Sequence, residues 1–355
     1  MSWQDKLRQV EPYVAGEQPK INNMIKLNTN ENPYGPCKQI KDILKEIDIE
    51  KLKLYPNSDG EELRHALAKY HGLKDEQVFL GNGSDEVLAL TFLTFFNGSD
   101  PVLFPNISYS FYPVYCDLYQ MNYKEIILDQ DFKMYVEDFK QPNSGIIFPN
   151  PNAPTGLLVS LDFIEEVLKS NPDSIVVVDE AYIELSSNPD VKSMVSEISD
   201  DTNVVVARTF SKLYGLAGVR LGYAMCNKEM HAILQKCTSV FTGSRVALAG
   251  AMAALDDEEY IKKTKAAMLE GRKYLTDEFT KMGFYVYPSE TNFLYVNTGY
   301  NAAEFAEECK KYGLIIRGNF EYSRITVGRM DQNEKMVGII KKIIESGELK
   351  KIWKL

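Results

Sequence analysis

The middle of the chain repeats one pattern: a short apolar run, a polar turn, and then a stretch with the spacing of a helix. Seven such runs, rich in β-branched side chains, lie between about residue 75 and residue 245. They cover residues 78–80, 102–104, 126–128, 146–148, 175–178, 204–206 and 222–225. Continuous apolar runs are typical of strands buried on both faces, and their alternation with helices is typical of parallel sheets. The pattern predicts an α/β domain around a mostly parallel, seven-stranded sheet.

The last third of the chain has a different pattern. Residues 246–282 form a long helix-forming stretch without proline, with a break predicted at the acidic residues 256–259. Short strand-like runs and two more helix-like stretches follow it. The strand-like runs cover 284–287, 292–296, 314–317 and 324–327, and the helix-like stretches cover 302–312 and 332–346. This arrangement predicts a second, smaller α+β domain.

The first 50 residues are predicted to be largely irregular, because asparagine, proline and glycine at this density cannot continue a helix or a central strand. A loop of this length is usually functional or wraps a partner, and a disordered leader is the alternative. A helix is predicted over residues 60–70. We therefore divide the chain into an N-terminal arm with the start of the small domain (1–50), a large domain (51–245) and a small domain (246–355).

Composition limits the class of protein. The 355 residues exceed one typical core, which favours two domains, and 45% hydrophobic with 25% charged residues is typical of a soluble globular protein. A net charge of -10 argues against a nucleic-acid surface. No apolar run approaches the roughly 20 residues of a membrane helix, and the polar N-terminus lacks the apolar core of a signal peptide. We expect neither a nucleic acid nor a membrane as partner.

Cysteine and histidine usage argues against two kinds of site. The five cysteines are scattered and form no C-x-x-C pair, which is typical of reduced thiols in a cytoplasmic protein. The three histidines have no ligand spacing, so a histidine-built zinc site is not expected. We therefore expect a cytoplasmic location and no metal.

A lysine follows the sixth apolar run. Lys212 lies in the segment 209–220, where Thr209 and Ser211 place hydroxyls beside it and Arg220 follows a glycine-rich turn. A lysine in an apolar or cationic setting loses its proton more readily and becomes a nucleophile for a carbonyl. A guanidinium with nearby hydroxyls suits a phosphate. The segment therefore combines a candidate Schiff-base lysine with a phosphate clamp, although a surface lysine in a loop explains it equally well on its own.

The first apolar run leads into Gly-Asn-Gly-Ser-Asp-Glu at residues 81–86, where a helix is predicted to begin. Ligands of open parallel sheets bind beyond the carboxyl ends of the strands, and the free N–H groups of a helix N-terminus bind phosphate. Ser84 and Asp85 are therefore candidate phosphate-site residues. Almost the same letters recur at 97–100, but they follow a helix and precede a strand, which predicts only a C-cap turn.

Two further loops follow strand ends. The fourth run leads into Pro-Asn-Pro-Asn-Ala-Pro-Thr-Gly at 149–156, and this much proline makes a rigid loop that can include a cis bond. Asn152 can present its amide from this loop to a ligand oxygen, and a plain tight connection is the alternative. After the second run, Tyr109 in the aromatic stretch 108–112 offers a face for stacking on a ring, unless these aromatic residues belong to the core.

The fifth apolar run ends in Asp179. A carboxylate at this place is costly to desolvate unless a cation or a protonated nitrogen pairs with it. A lone aspartate lacks the partners for a metal, whereas a protonated pyridine suits it and makes the ring an electron sink. Tyr182, three residues further on, can donate to a ring hydroxyl. One cofactor, pyridoxal 5′-phosphate (PLP), explains Asp179 together with Lys212, the phosphate sites and the asparagine loop.

Taken together, these residues resemble the fold-type-I PLP-dependent aminotransferases, and the resemblance spans nearly the whole chain. Three segments are similar in particular to those of histidinol-phosphate aminotransferases and their close relatives. They are Asn-Glu-Asn-Pro-Tyr-Gly-Pro at 30–36, Leu-Tyr-Pro at 54–56 and Arg-Thr-Phe-Ser-Lys at 208–212. The lysine and aspartate motifs are highly specific for the superfamily, and the substrate-level motifs are less so.

The resemblance assigns roles to the residues at the strand ends. Lys212 would form the Schiff base and move a proton between the substrate Cα and C4′ of the cofactor. Asp179 would pair with the pyridine nitrogen, Tyr182 with the 3′-oxygen, and Tyr109 would stack on the ring. The residues implied around the cofactor phosphate are Ser84, Asp85, Thr209, Ser211 and Arg220, with Tyr55 from the neighbouring subunit. A homodimer with a shared active site is therefore implied.

The resemblance also implies substrates. Arg324 matches the arginine that holds the substrate carboxylate, and Arg317 and Tyr13 correspond to further contacts with a substrate phosphate. Asn30, in the first motif, is a further candidate substrate contact. The implied reaction transfers the amino group of histidinol phosphate to 2-oxoglutarate, giving imidazole-acetol phosphate and glutamate. One anionic pocket would then serve glutamate in one half-reaction and the phosphomonoester in the other.

Three positions depart from the pattern of the relatives. Ala153 stands where many relatives have an asparagine that contacts the ring oxygen, which leaves that task to Asn152 or Tyr182. The segment between Arg317 and Arg324 is short, and Gly-Arg at 328–329 replaces the more usual Gly-Thr. The last two departures bear on the identity of the substrate more than on the type of reaction.

Three alternatives stay open beside this transamination. A PLP-dependent decarboxylase acting on threonine phosphate would share nearly every cofactor contact and differ in which Cα bond stands perpendicular to the ring. An aromatic-amino-acid aminotransferase is the nearest competitor within the class, because an apolar pocket discriminates weakly between flat rings. A PLP-binding module of a transcription factor would need an N-terminal DNA-binding domain, for which this chain offers only an irregular arm.

Overall fold

The computed structural model describes residues 2–19 and 24–352. Its strands are β1 (Ile25–Lys26), β2 (Val78–Gly81), β3 (Val102–Pro105), β4 (Tyr123–Ile126), β5 (Gly145–Pro149), β6 (Val176–Asp179), β7 (Val204–Thr209), β8 (Gly222–Met225), β9 (Tyr285–Val286), β10 (Phe293–Asn297), β11 (Leu314–Ile315) and β12 (Ser323–Thr326). Its helices are α1 (Gln39–Glu46), α2 (Glu61–His71), α3 (Gly83–Phe95), α4 (Tyr112–Tyr119), α5 (Leu161–Ser170), α6 (Lys228–Cys237), α7 (Arg245–Asp256), α8 (Glu258–Lys281), α9 (Ala302–Lys311) and α10 (Met330–Ser346). Within the described residues, no helix is both long and apolar enough to cross a membrane.

The seven predicted runs form one seven-stranded sheet, in the order β2-β8-β7-β6-β5-β3-β4. All its strands are parallel except β8, which pairs antiparallel with both β2 and β7. The prediction of a mostly parallel, seven-stranded sheet is therefore confirmed. The run at 126–128 is displaced, since β4 ends at Ile126 and Ile127 is exposed. β4 is an edge strand with one face in solvent, so its own sequence is largely polar.

The central strands of this sheet are buried on both faces, which explains their continuous apolar runs. In β6, Val176 and Val178 join one core cluster, while Val177 between them joins the cluster on the opposite face. β7 repeats this alternation because successive side chains of a strand point to opposite faces. The two layers of helices hold the carboxyl ends of β5, β6 and β7 side by side at one edge of the sheet.

The small domain contains the antiparallel sheet β12-β10-β9, covered by α8, α9 and α10. The N-terminal arm enters it, because β1 pairs in parallel with β11. The helices predicted over 302–312 and 332–346 are present as α9 and α10, and the predicted break lies between α7 and α8. Helix α1 falls in the stretch predicted to be irregular, since the dense asparagine, proline and glycine residues end at Pro36 and α1 contains none of them.

The packing of α7 bears on the predicted boundary between the domains. Although α7 lies beyond residue 245, it contributes Ala251, Ala253 and Leu255 to the core around the large sheet. The core of the small domain takes its first residue from this part of the chain at Leu275, within α8. The boundary stays a prediction, and the contacts place α7 with the large domain.

Candidate active site

A cleft of about 230 Å³ opens where β5, β6 and β7 end, between the large domain, the small domain and the arm. Thirteen of the fifteen predicted site residues line it. They are Tyr13, Asn30, Ser84, Asp85, Tyr109, Asp179, Tyr182, Thr209, Ser211, Lys212, Arg220, Arg317 and Arg324. Residues from positions 13 to 324 thus meet in one place, as expected for strand ends at one edge of a parallel sheet.

The turn that carries Lys212 is held by the arm. Asn32 Nδ2 donates a hydrogen bond of 2.7 Å to the carbonyl oxygen of Leu213. Gly215 has a φ of +69°, and a Cβ on it would lie 2.6 Å from the carbonyl oxygen of Gly35, so only glycine allows the two backbones to approach this closely. Lys212 is half-buried, and its Nζ lies 5.4 Å from the centroid of the Tyr182 ring. The motif at 30–36 therefore holds the turn from which Lys212 lines the cleft.

The N-terminus of α3 forms one wall of the cleft, beside Arg220. Arg220 Nη2 donates a hydrogen bond of 2.9 Å to Asp85 Oδ2, and the Tyr109 hydroxyl donates one of 2.8 Å to Asp85 Oδ1. A Cβ on Gly83 would collide with the Arg220 guanidinium, and one on Gly222 would collide with the backbone of α3. The glycines thus keep open a cradle of helix N–H groups and a guanidinium that suits a phosphate.

Asp179 ends β6 as a buried carboxylate, and the structure gives it no ion pair among the described residues. Its two hydrogen bonds come from the Tyr112 hydroxyl, 3.2 Å from Oδ2, and from the Ala181 N–H, 3.2 Å from Oδ1. Burial raises the pKa of Asp179 to about 6, and neighbouring Lys212 offsets this only in part. A carboxylate held in this way has a place for a positively charged partner in the cleft.

Tyr182 and Asn30 both line the cleft and form a hydrogen-bonded pair. Asn30 Nδ2 donates a hydrogen bond of 3.1 Å to the Tyr182 hydroxyl, and the Thr326 hydroxyl donates one of 3.1 Å to Asn30 Oδ1. The Tyr182 ring packs edge-on against Phe293 at 5.2 Å. Asn30 therefore orients Tyr182 in addition to lining the cleft.

Two predicted cofactor residues lie outside the cleft. Asn152 is buried, and its Nδ2 donates at 2.9 Å to both the Ile107 carbonyl and the Thr155 hydroxyl, so its amide hydrogens are already used. Ala153 lines the cleft in its place, in a loop with two cis bonds, before Pro151 and before Pro154. Tyr55 is 76% exposed on another face of the chain.

The substrate side of the cleft contains two facing arginines. Arg317 and Arg324 are directly opposite each other in an antiparallel bridge, with backbone hydrogen bonds of 3.1 and 2.9 Å. The Arg324 guanidinium lies 5.4 Å from the ring centroids of both Phe293 and Phe320. Its Nη2 donates to the Asn28 carbonyl at 3.0 Å, and its Nε has no hydrogen-bond partner among the described residues. Burial lowers the pKa of Arg324.

Several residues of this site were not among those that the sequence predicted, and three of them are Glu31, Phe320 and Tyr112. Glu31 and Phe320 line the cleft, and Tyr112 contacts Asp179 from behind it. Glu31 and Tyr112 lie within motifs that the sequence had marked, so position relative to a known site residue was a usable signal for them. Phe320 lies in the short segment after the apolar run 314–317 and belongs to no motif, so only the folded small domain brings it to the cleft.

The residues of the cleft fit PLP. The buried Asp179 lacks a cation that a protonated pyridine nitrogen would supply, and the cradle beside Arg220 has the donors that a phosphate needs. Lys212 offers an amine in the same cleft. The parallel sheet, the lysine and the uncompensated aspartate define the class of fold-type-I PLP-dependent enzymes.

Comparisons with known proteins place the chain within this class. The family model described as aminotransferase class I and II matches residues 22–340. A histidinol-phosphate aminotransferase of Lactococcus lactis subsp. cremoris (strain SK11) is 42% identical and covers 98% of this chain and 99% of its own length. One of Acinetobacter baylyi is also 42% identical, over 96% of this chain and 97% of its own length. A solved structure of a histidinol-phosphate aminotransferase described as putative, from Erwinia carotovora atroseptica, shares the fold with a TM-score of 0.85 at 21% identity, over 94% of this chain and 99% of that one. The chain belongs to the aminotransferase class I and II family and is a PLP-dependent aminotransferase.

Proposed function

We propose that the chain transfers the amino group of histidinol phosphate to 2-oxoglutarate, giving imidazole-acetol phosphate and glutamate, a step of histidine biosynthesis. The name of the Lactococcus and Acinetobacter relatives, at 42% identity over nearly the full length, supports this substrate. Within the molecule, the observation that carries the proposal is the pair Arg317 and Arg324.

Two arginines directly opposite each other in a bridge repel, and a buried guanidinium without a carboxylate is costly. Arg324 lies near two aromatic rings, and its Nε has no hydrogen-bond partner in the part of the chain that the structure describes. Arg317 is largely committed, with Nη2 2.7 Å from the Val14 carbonyl and Nε 2.6 Å from Asn319 Oδ1. An anion in the cleft relieves both costs. A dianionic phosphomonoester suits two guanidinium groups, and the carboxylate of glutamate suits the same place in the other half-reaction.

The chain's own residues divide the work of the reaction. PLP, when bound, supplies an electron sink for the bonds at the substrate Cα. Lys212 accepts and returns the Cα proton as a general base and acid. Asp179 keeps the ring nitrogen protonated, while Tyr182, oriented by Asn30, donates to the ring oxygen. Without an asparagine at position 153, Tyr182 carries that contact alone.

A homodimer with a shared active site is part of this proposal. Tyr55 stacks on Phe241, with ring centroids 4.5 Å apart, and both rings are exposed. Leu52 and Leu54 beside them are more than half exposed as well. Exposed apolar residues in one segment suit an interface between subunits, and Tyr55 would reach the cofactor phosphate of the partner from there. A cytoplasmic location is proposed with it, supported by five free cysteines, of which four are buried.

Mixed dimers test the shared site. A Lys212→Ala chain paired with a Tyr55→Ala chain contains one site with both native residues only if Tyr55 acts across the interface. We expect one tight PLP site per mixed dimer, measured by equilibrium dialysis, whereas neither variant alone has it. A mixture without a tight site would contradict a shared site.

The substrate is tested by comparing histidinol phosphate with histidinol, which differs only by the phosphate. We expect kcat/KM for histidinol phosphate to be higher by roughly 100-fold or more, because a phosphate that pairs with buried arginines contributes several kcal/mol. Equal values for the two amines would contradict the proposed substrate. Turnover of phenylalanine at a comparable rate would support an aromatic-amino-acid aminotransferase instead.

A decarboxylase acting on threonine phosphate is the second candidate, because the same pair of arginines would hold its phosphate. The two functions differ in the products. Incubation with glutamate should release 2-oxoglutarate and convert the absorbance of the bound cofactor to that of its amine form. Release of carbon dioxide from threonine phosphate, without that conversion, would favour the decarboxylase.

A further inference from the structure

Tyr112, in the aromatic stretch 108–112 but not among the predicted site residues, contacts the carboxylate of Asp179. The Tyr112 hydroxyl donates a hydrogen bond of 3.2 Å to Asp179 Oδ2, and both side chains are buried. We propose that Tyr112 is a positioning residue that keeps Asp179 ionised and turned towards the ring nitrogen of the cofactor. This inference rests on the proposed PLP site and is independent of the identity of the substrate.

The ring of Tyr112 is held on all sides, so its hydroxyl has a fixed place. Tyr112 is the first residue of α4 and is fully buried. Its ring packs edge-on against Phe104 at 5.9 Å and lies 6.2 Å from Phe92. A tyrosine hydroxyl lies in the plane of its ring, so fixing the ring fixes the donor. Asp179 therefore meets a donor whose position the helix layer determines.

The same ring supports the residue predicted to stack on the cofactor. Tyr112 and Tyr109 pack edge to face, with centroids 5.6 Å apart and an angle of 86° between the rings. The Tyr112 N–H also donates to the Tyr109 carbonyl at 3.1 Å. One side chain thus connects the partner of the ring nitrogen with the residue beside the ring face.

The charges around Asp179 show why a donor matters here. Burial opposes its ionisation, and so does the carboxylate of Asp85 on α3, while Lys212 after β7 favours it. Tyr112 favours ionisation through its hydrogen bond. Burial and the nearby carboxylate raise the pKa of Tyr112 far above its ordinary value, so its hydroxyl stays protonated and always donates. Tyr115, one turn further along α4, is also protonated and donates to the Asp85 carbonyl instead.

The variant Tyr112→Phe removes this donor and keeps the ring. Losing a hydrogen bond to a charged group raises the pKa of the Asp179 carboxyl by about one to two pH units. We expect this shift in the side-chain 13C resonance of Asp179 in the full-length chain without cofactor. In the holoenzyme, we expect the dissociation constant of PLP near neutral pH to rise roughly tenfold, since a neutral Asp179 no longer pairs with a protonated ring.

Tyr223→Phe is the matched control. Tyr223 is also fully buried, and its hydroxyl is 3.1 Å from His71 Nε2, within the large domain but away from Asp179. This variant loses the same atom from a similarly packed ring. We expect it to leave both the titration of Asp179 and the dissociation constant of PLP unchanged.

An unchanged titration of Asp179 in folded Tyr112→Phe, with folding checked by circular dichroism, would overturn the inference. The double variant gives a second test. If Tyr112 acts through Asp179, adding Tyr112→Phe to Asp179→Asn should weaken PLP binding no further. A further tenfold loss would overturn the inference, because it would show that the Tyr112 hydroxyl affects PLP binding by a route other than Asp179. If Tyr112→Phe shows the expected rise in the pKa of Asp179 but the native enzyme does not turn over histidinol phosphate, the proposed substrate is refuted and the inference is intact.

Discussion

Two neighbouring carboxylates at the end of β6 have opposite surroundings. Glu180 faces the side away from the cleft, where Arg208 Nη2 and Nε donate to it at 2.9 and 3.1 Å. The Ser193 hydroxyl and the Met194 N–H complete its hydrogen bonds at 2.6 and 2.8 Å. Asp179 faces the cleft and receives two donors but no cation.

This difference in partners suggests a structural role for Glu180 and a functional role for Asp179. The fold supplies the counter-charge of Glu180, and burial alone would lower the pKa of Arg208, but Glu180 and Glu184 raise it above its ordinary value. Removing one partner of such a buried pair is costly, because the other charge is then left buried without compensation. Asp179 has no cationic partner among the described residues, and a buried carboxylate without one is best explained by a cationic ligand. The protonated ring nitrogen of PLP would supply the positive charge that the fold does not give Asp179.

We expect the largest effect from a variant that lacks Lys212, the residue proposed to bind PLP covalently. Lys212→Ala should lower kcat by about 10⁴-fold or more, because it deletes both the attachment of PLP and the general base. The folded structure should persist, since Lys212 Nζ has no hydrogen bond among the described contacts. We would measure steady-state rates and the absorbance of the bound cofactor. Turnover near the native rate would refute the role of Lys212.

Removing the cation that pairs with Glu180 should lower the stability of the fold. Arg208→Met leaves Glu180 buried without its cation and should lower the free energy of unfolding by about 3 to 5 kcal/mol. Urea titration measures this loss. A stability within about 1 kcal/mol of the native chain would show that Glu180 does not depend on Arg208, and the contrast with Asp179 would disappear.

Removing the charge of Asp179, which has no cationic partner among the described residues, should lower catalysis instead. Asp179→Asn should still bind PLP but lower kcat by roughly 10² to 10³-fold, because the ring nitrogen loses the charge that keeps it protonated. Its KM for glutamate should change little, since the proposed contact of the substrate anion is Arg324 and not Asp179. An unimpaired kcat would show that the ring nitrogen is not held protonated.

On the substrate side, Arg324→Ala should lower kcat/KM for glutamate by roughly 10²-fold, mostly through KM, because truncating a buried charged partner costs several kcal/mol. Arg329→Ala is the control, since Arg329 is exposed and pairs with Asp331 at 3.1 Å outside the cleft. A normal KM for Arg324→Ala would make Arg317 the principal anion-binding residue.

The sequence predicted the framework and most of the cleft because both follow from local patterns. The apolar runs at 146–148, 175–178 and 204–206 are strands buried on both faces, and a parallel sheet brings their ends together by geometry alone. The same rule placed Lys212 and Asp179 at one edge. The predicted position of the edge strand β4 differs from the observed one, because the burial of an edge strand depends on neighbours that the local pattern does not contain.

Contacts between distant segments could not be read from the chain. The hydrogen bonds from the Asn152 amide to Ile107 and Thr155 depend on how two loops pack. A rigid loop can present an amide inwards or outwards. Tyr112 reaches Asp179 across 67 positions, through the packing of α4 against the sheet. An aromatic residue in such a stretch is equally compatible with a place in the core.

The most direct test of the uncompensated carboxylate compares the stability of the cofactor-free chain with that of Asp179→Asn as pH changes. A carboxyl whose pKa is raised by folding, here from 3.8 to about 6, binds more protons when folded, so its contribution to stability falls as pH rises through this window. The native chain should therefore lose about 2 to 3 kcal/mol relative to Asp179→Asn between about pH 4 and pH 7. A difference that stays constant, or that favours the native chain more as pH rises, would mean that the fold already supplies a counter-charge for Asp179 and would contradict the account.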